Sequence, residues 1–140
     1  MKVFKETLTV ETASLRQVVD LTGRLGELTR KSGLKNGVLL ASSKHTTTVL
    51  TVSSKREGVP NEVLNCLATM LTEEKLKRSS VRVQRDPSIM FSYIQNMVCG
   101  NSIHIPVVNG KLDLGDWQAA YLIELAGPRE REVSVIIIGE

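Results

Sequence analysis

The residue best suited to chemistry in this chain is a histidine that stands just before a run of threonines. The stretch KHTTTVLTV, from Lys44 to Val52, holds one of only two histidines and three consecutive threonines. An imidazole titrates near neutral pH and binds anions or metal ions, and hydroxyls both donate and accept hydrogen bonds. The pattern allows two interpretations. Either His45, Thr46 and Thr47 line a polar binding site, or the histidine is exposed and the threonines begin a strand.

Further polar residues stand out in the last third of the chain, which is mostly apolar. Gln118 follows Trp117, the only tryptophan. Glu124 lies in the apolar run YLIELAG, where a buried carboxylate needs a partner because burying an unpaired charge is costly. Arg129 follows the turn Gly127-Pro128. On pattern alone, the simpler interpretation places Glu124 on the solvent side of a half-buried strand and Arg129 in a solvated turn.

Common catalytic and nucleotide-binding motifs are absent from the sequence. It has no GxxxxGK[ST], HExxH or GxSxG, and no GxGxxG after a strand. Two histidines and two separated cysteines do not supply a structural zinc site, and Cys66 is expected to be a buried thiol on the apolar side of a helix. The stretch KLKRSSVRVQR is basic, but acidic residues flank it and aromatic residues make up only 4% of the chain. A solvated basic face is therefore favoured over nucleic-acid binding.

Length and composition are those of one soluble domain. With 140 residues, of which 41% are hydrophobic and 24% charged, the chain can bury a single core. Its net charge of +3 leaves room for anionic ligands. No run approaches the roughly 20 apolar residues of a membrane-spanning helix, and the start, MKVFKETLTVET, lacks the apolar stretch of a signal peptide. The cytoplasm is the expected location.

The elements that must position these residues do not follow strict βαβ order. Helices are expected near 20–33, 60–71 and 90–100, where apolar residues recur at helical spacing. An opening strand is expected to face inward with Val3, Leu8 and Val10. Two more strands should flank His45, and three β-like runs fill the last third. This order predicts an α+β protein: one compact domain, residues 1–140, with a β-sandwich-like core of antiparallel or mixed sheets and about three helices.

Taken in order, several short motifs resemble those of the YjbQ-like family, whose members are often labelled secondary thiamine-phosphate synthases. The two stretches that carry the resemblance are SGLKNGVLLASSKHTTTVLTV and CGNSIHIPVVNGKLDLGDWQAAYLIELAGPREREVSVIIIG. The family shows SG-x-x-NG, then HTT, then PV-x-x-G-x-L-x-LG-T-WQ, then E-x-DGPR-x-R-x-V. Each motif is short, but together they match in the right order over nearly the whole chain, and that combination is specific.

The resemblance implies a homotrimer with a small polar pocket near the HTT histidine, which in relatives holds a metal ion or an anion. The positions of this chain that match the motifs are His45, Thr46, Thr47, Trp117, Gln118, Glu124 and Arg129. Of these, His45, Glu124 and Arg129 are the implied catalytic residues, and His45 is the candidate metal ligand. The resemblance thus favours a place in or beside the pocket for Glu124 and Arg129.

The chain departs from the family pattern where a metal would need ligands. Lys55 lies in SSKRE, where relatives carry an acidic residue, and Tyr93 stands near the position of a family histidine. Ala126 replaces the aspartate of DGPR, and Asp116 replaces the threonine of LGTWQ. Divalent metals need several anionic or imidazole ligands together, so tight binding of Mg²⁺ or Zn²⁺ is not expected. Lys55, Tyr93 and Asp116 join Thr46, Thr47, Trp117 and Gln118 as the expected ligand-binding residues.

Two functions from different classes follow from these observations. The family label implies an enzyme that joins a pyrimidine diphosphate to a thiazole phosphate and releases pyrophosphate. The alternative is a non-catalytic or differently catalytic protein that binds a small phosphate-bearing ligand. Both need cationic groups beside phosphate oxygens, because negative charge must be stabilised there.

Overall fold

The structure, a computed structural model, describes residues 1–69 and 87–140. Within these residues the elements are, in chain order, β1 (Lys2–Glu11), β2 (Gln17–Asp20), α1 (Thr22–Ser32), β3 (Gly37–Ser43), β4 (Thr48–Ser54), α2 (Val59–Thr69), α3 (Pro87–Cys99), β5 (Ser102–Val108), β6 (Lys111–Leu112), β7 (Gln118–Glu124) and β8 (Glu130–Gly139). The basic stretch with Lys75, Lys77, Arg78, Arg82 and Arg85 lies outside the described residues. No helix among the described residues is long and apolar enough to cross a membrane, and a cytoplasmic location stays a prediction.

The strands form two antiparallel sheets. The larger has the order β1-β8-β3-β5-β6, and the smaller has the order β2-β7-β4. One hydrophobic core lies between them and includes side chains of β1, β3, β5 and β8 from the large sheet, of β4 and β7 from the small sheet, and of α1. The predicted α+β class with a sandwich-like core is therefore confirmed, with every strand pair antiparallel.

The period of two along β1 corrects one predicted core residue. Leu8 and Val10 are buried as expected, but Val3 is 55% exposed. Successive side chains of a strand point to opposite faces, so Val3 cannot share a face with Leu8 and Val10. Phe4 has the right parity and packs against the core.

The small sheet is covered on both faces, because helices pack on the side away from the main core. Val49 of β4 and Ile123 of β7 form a second buried cluster with Leu67 of α2. As a result, β7 is buried along nearly its whole length. Cys66 is exposed rather than buried, because it lies off the α2 face that presents Leu67.

Candidate functional site

A cavity of about 640 Å³ opens where the chain crosses from one sheet to the other. The crossing is the connection from β3, in the large sheet, to β4, in the small sheet, and it contains residues 44–47. The lining residues come from four parts of the chain and are Leu15, Arg16, Lys44, His45, Thr46, Thr47, Ile89, Tyr93, Leu125, Ala126, Arg129 and Arg131. Both sheets and α3 thus position the side chains of the cavity.

Five of the residues expected from the sequence meet in this cavity: His45, Thr46, Thr47, Tyr93 and Arg129. Thr46 and Thr47 do not belong to a strand, because β4 begins only at Thr48. Thr46 is exposed and Thr47 is buried. The connection between the sheets therefore carries the polar residues, and the strand follows it.

A buried ion pair lies next to the cavity. Glu124 is 0% exposed and Arg131 is 1% exposed. Arg131 donates from Nε to Glu124 Oε2 at 2.6 Å and from Nη2 to Glu124 Oε1. Its Nη2 also donates to Thr47 Oγ1 at 2.8 Å, so the pair is tied directly to the connection that lines the cavity.

Two further donors complete the coordination of the Glu124 carboxylate. Thr12 donates its hydroxyl to Oε2 at 2.8 Å, and the Ala126 N–H donates to Oε1 at 3.0 Å. Burial alone would raise the pKa of the Glu124 carboxyl, but the hydrogen bonds from Arg131, Ala126 and Thr12 and the charge of Arg131 together lower it below its ordinary value. Glu124 is therefore an ionised residue that holds Arg131 in position beside the cavity, and it is not itself among the lining residues.

The turn after β7 lies against the start of the chain at a glycine. A Cβ on Gly127 would lie 2.5 Å from the carbonyl oxygen of Ser14 and 2.9 Å from Thr12 Oγ1. The N–H of Arg129 donates to the same Thr12 hydroxyl at 2.9 Å. The close approach that Gly127 permits thus fixes the backbone from which the Arg129 side chain reaches the cavity.

His45 is held in one tautomer by the backbone of β8. The Glu132 N–H donates to His45 Nε2 at 2.8 Å, so Nε2 carries the lone pair and Nδ1 carries the proton. Burial, followed by the positive charge of Arg131, lowers the pKa of His45, and Glu124 and Glu132 oppose this shift only in part. His45 is thus a neutral imidazole whose Nδ1–H is a hydrogen-bond donor.

These residues do not fit a resident metal ion. Coordination through His45 Nε2 would displace the Glu132 N–H, and coordination through Nδ1 would require the other tautomer, whose Nε2–H would face the Glu132 N–H. The Glu124 carboxylate already accepts four hydrogen bonds. Over residues 1–69 and 87–140, no group of three or more histidine, cysteine, aspartate or glutamate side chains is placed to hold a metal.

The charged residues that line the cavity are all basic. Arg129 is exposed. Lys44 lies at the surface, with its Nζ 3.8 Å from Glu132 Oε2. Arg16 is half-buried, and its Nη1 atom is fully buried without a hydrogen-bond partner among the described residues. A buried donor left unpaired costs free energy, so Arg16 marks a position where an acceptor would be stabilised.

Comparison with known proteins identifies the family of the chain. The family described as "UPF0047 protein YjbQ-like" matches residues 6–140. The chain belongs to this family. A "UPF0047 protein" of Methanothermobacter thermautotrophicus is 26% identical over 141 residues, which cover 100% of this chain and 95% of that protein. The "UPF0047 protein YugU" of Bacillus subtilis is 26% identical and covers 96% of this chain and 98% of its own.

Solved structures show the same fold in other members of the family. A protein of Sulfolobus solfataricus, described as YbjQ-like and of unknown function, is 29% identical with a TM-score of 0.83 and covers 99% of both chains. A hypothetical protein of Aeropyrum pernix is also 29% identical, with a TM-score of 0.82, and covers 98% of this chain and 99% of its own. The family resemblance predicted from the sequence is thereby confirmed.

Four residues that comparison with the family motifs suggested do not line the cavity. Lys55, Asp116, Trp117 and Gln118 lie at the opposite end of β7 from Glu124. β7 runs from Gln118 to Glu124, and at ~3.4 Å per residue it separates its two ends by about 20 Å. The Arg56 guanidinium lies 4.6 Å from the centre of the Trp117 ring.

Sequence reasoning missed two arginines of the cavity. Arg131 had a usable signal, because it shares the inward parity of Val133, Val135 and Ile137 along β8, and an arginine on a buried strand face needs a carboxylate partner. Arg16 had no such signal. It lies in the bend between β1 and β2, where no periodic pattern indicates which way a side chain points.

Proposed function

We propose that the cavity beside His45 binds a small anion that carries a phosphate or diphosphate group. The observation that carries this proposal is a cavity whose charged lining residues are all basic and include Arg16, a guanidinium with one nitrogen that has no hydrogen-bond partner among the described residues. Guanidinium groups form short, charge-assisted hydrogen bonds with phosphate oxygens. A bound phosphate would supply acceptors for the guanidinium groups that line the cavity.

The remaining lining residues suit the same ligand. Arg129 adds a second guanidinium, and the Nδ1–H of His45 and the hydroxyl of Thr46 add uncharged donors. Because His45 is neutral, it contributes a hydrogen bond rather than a positive charge. The cavity volume of about 640 Å³ lies within the range of small-molecule sites.

Titration calorimetry with pyrophosphate tests this proposal. Arg16→Gln and Arg129→Gln are each expected to weaken binding about tenfold or more, because each removes a charge-assisted hydrogen bond of roughly 1.5–3 kcal/mol. Arg24→Gln is the matched control, since Arg24 is exposed on α1 and does not line the cavity. Absence of binding to the unmodified protein, or equal affinities of the Arg16→Gln and Arg24→Gln proteins, would overturn the proposal.

The second candidate function is the transferase activity that the family label implies. In that reaction a pyrimidine diphosphate and a thiazole phosphate are joined and pyrophosphate leaves, so negative charge develops on the departing group. The pairing of Arg16 with Arg129 in one cavity favours this candidate, because two guanidinium groups stabilise such charge. The test is product formation from the two phosphorylated halves, with and without magnesium. Turnover no greater than that of a His45→Ala protein excludes it, while anion binding alone keeps the first function.

We also propose that copies of the chain assemble as a homotrimer through the outer face of the large sheet. Val3, Ile138, Val38 and Pro106 lie in register across β1, β8, β3 and β5 on this face. Leu40, in the next row, is 40% exposed. The solvated face of an antiparallel sheet normally carries polar side chains, so the apolar row of this face is suited to contact with another copy.

Light scattering on a sizing column tests the assembly. The unmodified protein is expected to elute with three times the mass of one chain, and Leu40→Glu is expected to reduce that mass, because it places a charge in the apolar face. Arg24→Glu, at an exposed position of α1, is the control and should leave the mass unchanged. A monomeric unmodified protein would contradict this proposal without affecting the anion site.

A further inference from the structure

A second groove lies at the end of β7 that is remote from His45. It has a volume of about 440 Å³ and is lined by Thr22, Gly26, Arg30, Lys55, Gly110, Lys111, Leu112, Leu114, Gly115, Asp116 and Gln118. A smaller cavity of about 260 Å³ shares Arg30, Gly110 and Lys111 with it and adds Lys35. The two cavities are neighbours between α1 and the loops around β6, and they are together called the groove.

Basic side chains dominate the lining of this groove. Arg30, Lys35, Lys55 and Lys111 line it, and none of them makes an ion pair within the described residues. Asp116 is the single acidic residue among the lining residues. The groove therefore has an excess of positive charge that no described side chain neutralises.

Two of these cationic groups lie close to glycines. Arg30 Nη1 lies 3.8 Å from the position that a Cβ on Gly26 would occupy. Lys35 Nζ lies 3.8 Å from the corresponding position at Gly110. Both cationic groups thus lie beside a glycine that lines the groove, and both residues are exposed to solvent.

The uncharged polar side chains of the groove also present donors. Gln118 Oε1 already accepts the Gly115 N–H at 2.8 Å, which leaves its Nε2 hydrogens free to donate. Thr22 Oγ1 already accepts the Ala120 N–H at 2.9 Å, which leaves its hydroxyl proton free to donate. In both side chains the oxygen already accepts a hydrogen bond within the protein, so both can donate to a ligand in the groove.

We propose that this groove is a second anion site, separate from the cavity beside His45, which takes a small ligand with two or more linked phosphate groups. Four cations in two neighbouring cavities match a chain of phosphates better than a single phosphate, because several phosphates can then each meet a cation. The amide of Gln118 and the hydroxyl of Thr22 fix the position of the anion by direct hydrogen bonds. This proposal does not depend on the function of the first cavity.

The test uses inorganic tripolyphosphate and the full chain with Arg16→Gln and Arg129→Gln, in which the first cavity is impaired. This protein is expected to bind one tripolyphosphate. Adding Arg30→Gln and Lys111→Gln is expected to weaken that binding more than about tenfold, whereas adding Arg24→Gln and Lys2→Gln, two exposed cations outside the groove, removes the same charge with a smaller effect.

A variant that leaves the charge unchanged separates a built site from general attraction. Gln118→Leu is expected to weaken tripolyphosphate binding about threefold or more, through the loss of one amide hydrogen bond. Failure of the Arg16→Gln/Arg129→Gln protein to bind tripolyphosphate would overturn the second site. Equal losses in the two doubly substituted charge variants, together with no effect of Gln118→Leu, would also overturn it. Loss of pyrophosphate binding at the first cavity alone would overturn only the function proposed there.

Discussion

Breaking the buried ion pair between Glu124 and Arg131 is expected to cost much of the stability of the fold. Arg131→Met removes the guanidinium but leaves the Glu124 carboxylate, which is 0% exposed, without its main partner. It also removes the donor to Thr47. Desolvation of an uncompensated charge dominates the loss, because water cannot reach the carboxylate in the folded protein.

The expected magnitude follows from the burial of both partners. Removal of one member of a buried pair costs ~3–5 kcal/mol in the free energy of unfolding, against a total of roughly 5–15 kcal/mol for a typical domain. At ~4 °C per kcal/mol for a chain of this size, Tm should fall by roughly 12–20 °C. The double variant Glu124→Gln/Arg131→Met leaves neither charge of the pair buried. Its loss in the free energy of unfolding should therefore be smaller, by ~2 kcal/mol, than the sum of the losses in the two single variants.

Urea denaturation of the single and double variants measures these losses, with an exposed pair in the same chain as the control. Lys31 and Glu6 are 2.9 Å apart, with side chains 63% and 37% exposed. Lys31→Gln should leave the free energy of unfolding nearly unchanged, because solvent screens the pair. The reasoning would be refuted if Arg131→Met cost no more than Lys31→Gln, or if the losses from Glu124→Gln and Arg131→Met were simply additive.

The remaining predictions concern pH, backbone packing and the unpartnered arginine. Because the pKa of His45 is lowered in the folded protein, protonation of His45 favours the unfolded chain, and the free energy of unfolding should fall as the pH drops below ~6.5. In thermal scans from pH 8 to ~5, His45→Gln should reduce this pH dependence of stability. Gly127→Ala should lower the free energy of unfolding by ~1–3 kcal/mol through overpacking. Gly23→Ala, with nothing within 4 Å of its Cβ position, should instead stabilise α1 by about 0.5–1 kcal/mol. Equal free energies of unfolding of the two variants in urea would contradict the packing at Gly127. Arg16→Met should leave stability unchanged or raise it, because it removes a buried donor that has no partner, and a loss above ~1 kcal/mol would show that Arg16 has a structural partner.

Much of the fold was predictable from the sequence, because strand and helix periodicities were strong. The final strand is an example: REVSVIIIG predicts a strand with apolar residues on both faces, and β8 occupies the interior of the large sheet between β1 and β3. The helix end at Gly33 was also readable, since this glycine has the left-handed conformation, with φ of 70°. The prediction that Val3 is buried was wrong, because its apolar side chain was given more weight than the alternation of side chains along β1.

The candidate site was only partly predictable. Local sequence indicates that His45 and the threonines precede a strand, but which residues face them depends on how the two sheets pack. The family motifs pointed to both ends of β7 alike, and only the three-dimensional structure separates Glu124, at one end, from Gln118, at the other. Arg16 lies in a bend without periodicity, so only tertiary packing brings it to the cavity.

The most direct measurement is a crystal structure of the protein grown with pyrophosphate. The proposed function predicts electron density for the anion in the cavity beside His45, with phosphate oxygens within ~3 Å of Arg16 Nη1 and of the Arg129 guanidinium. A cavity that holds only water at saturating pyrophosphate, or an Arg16 Nη1 that donates to an acceptor of the protein itself, would contradict it.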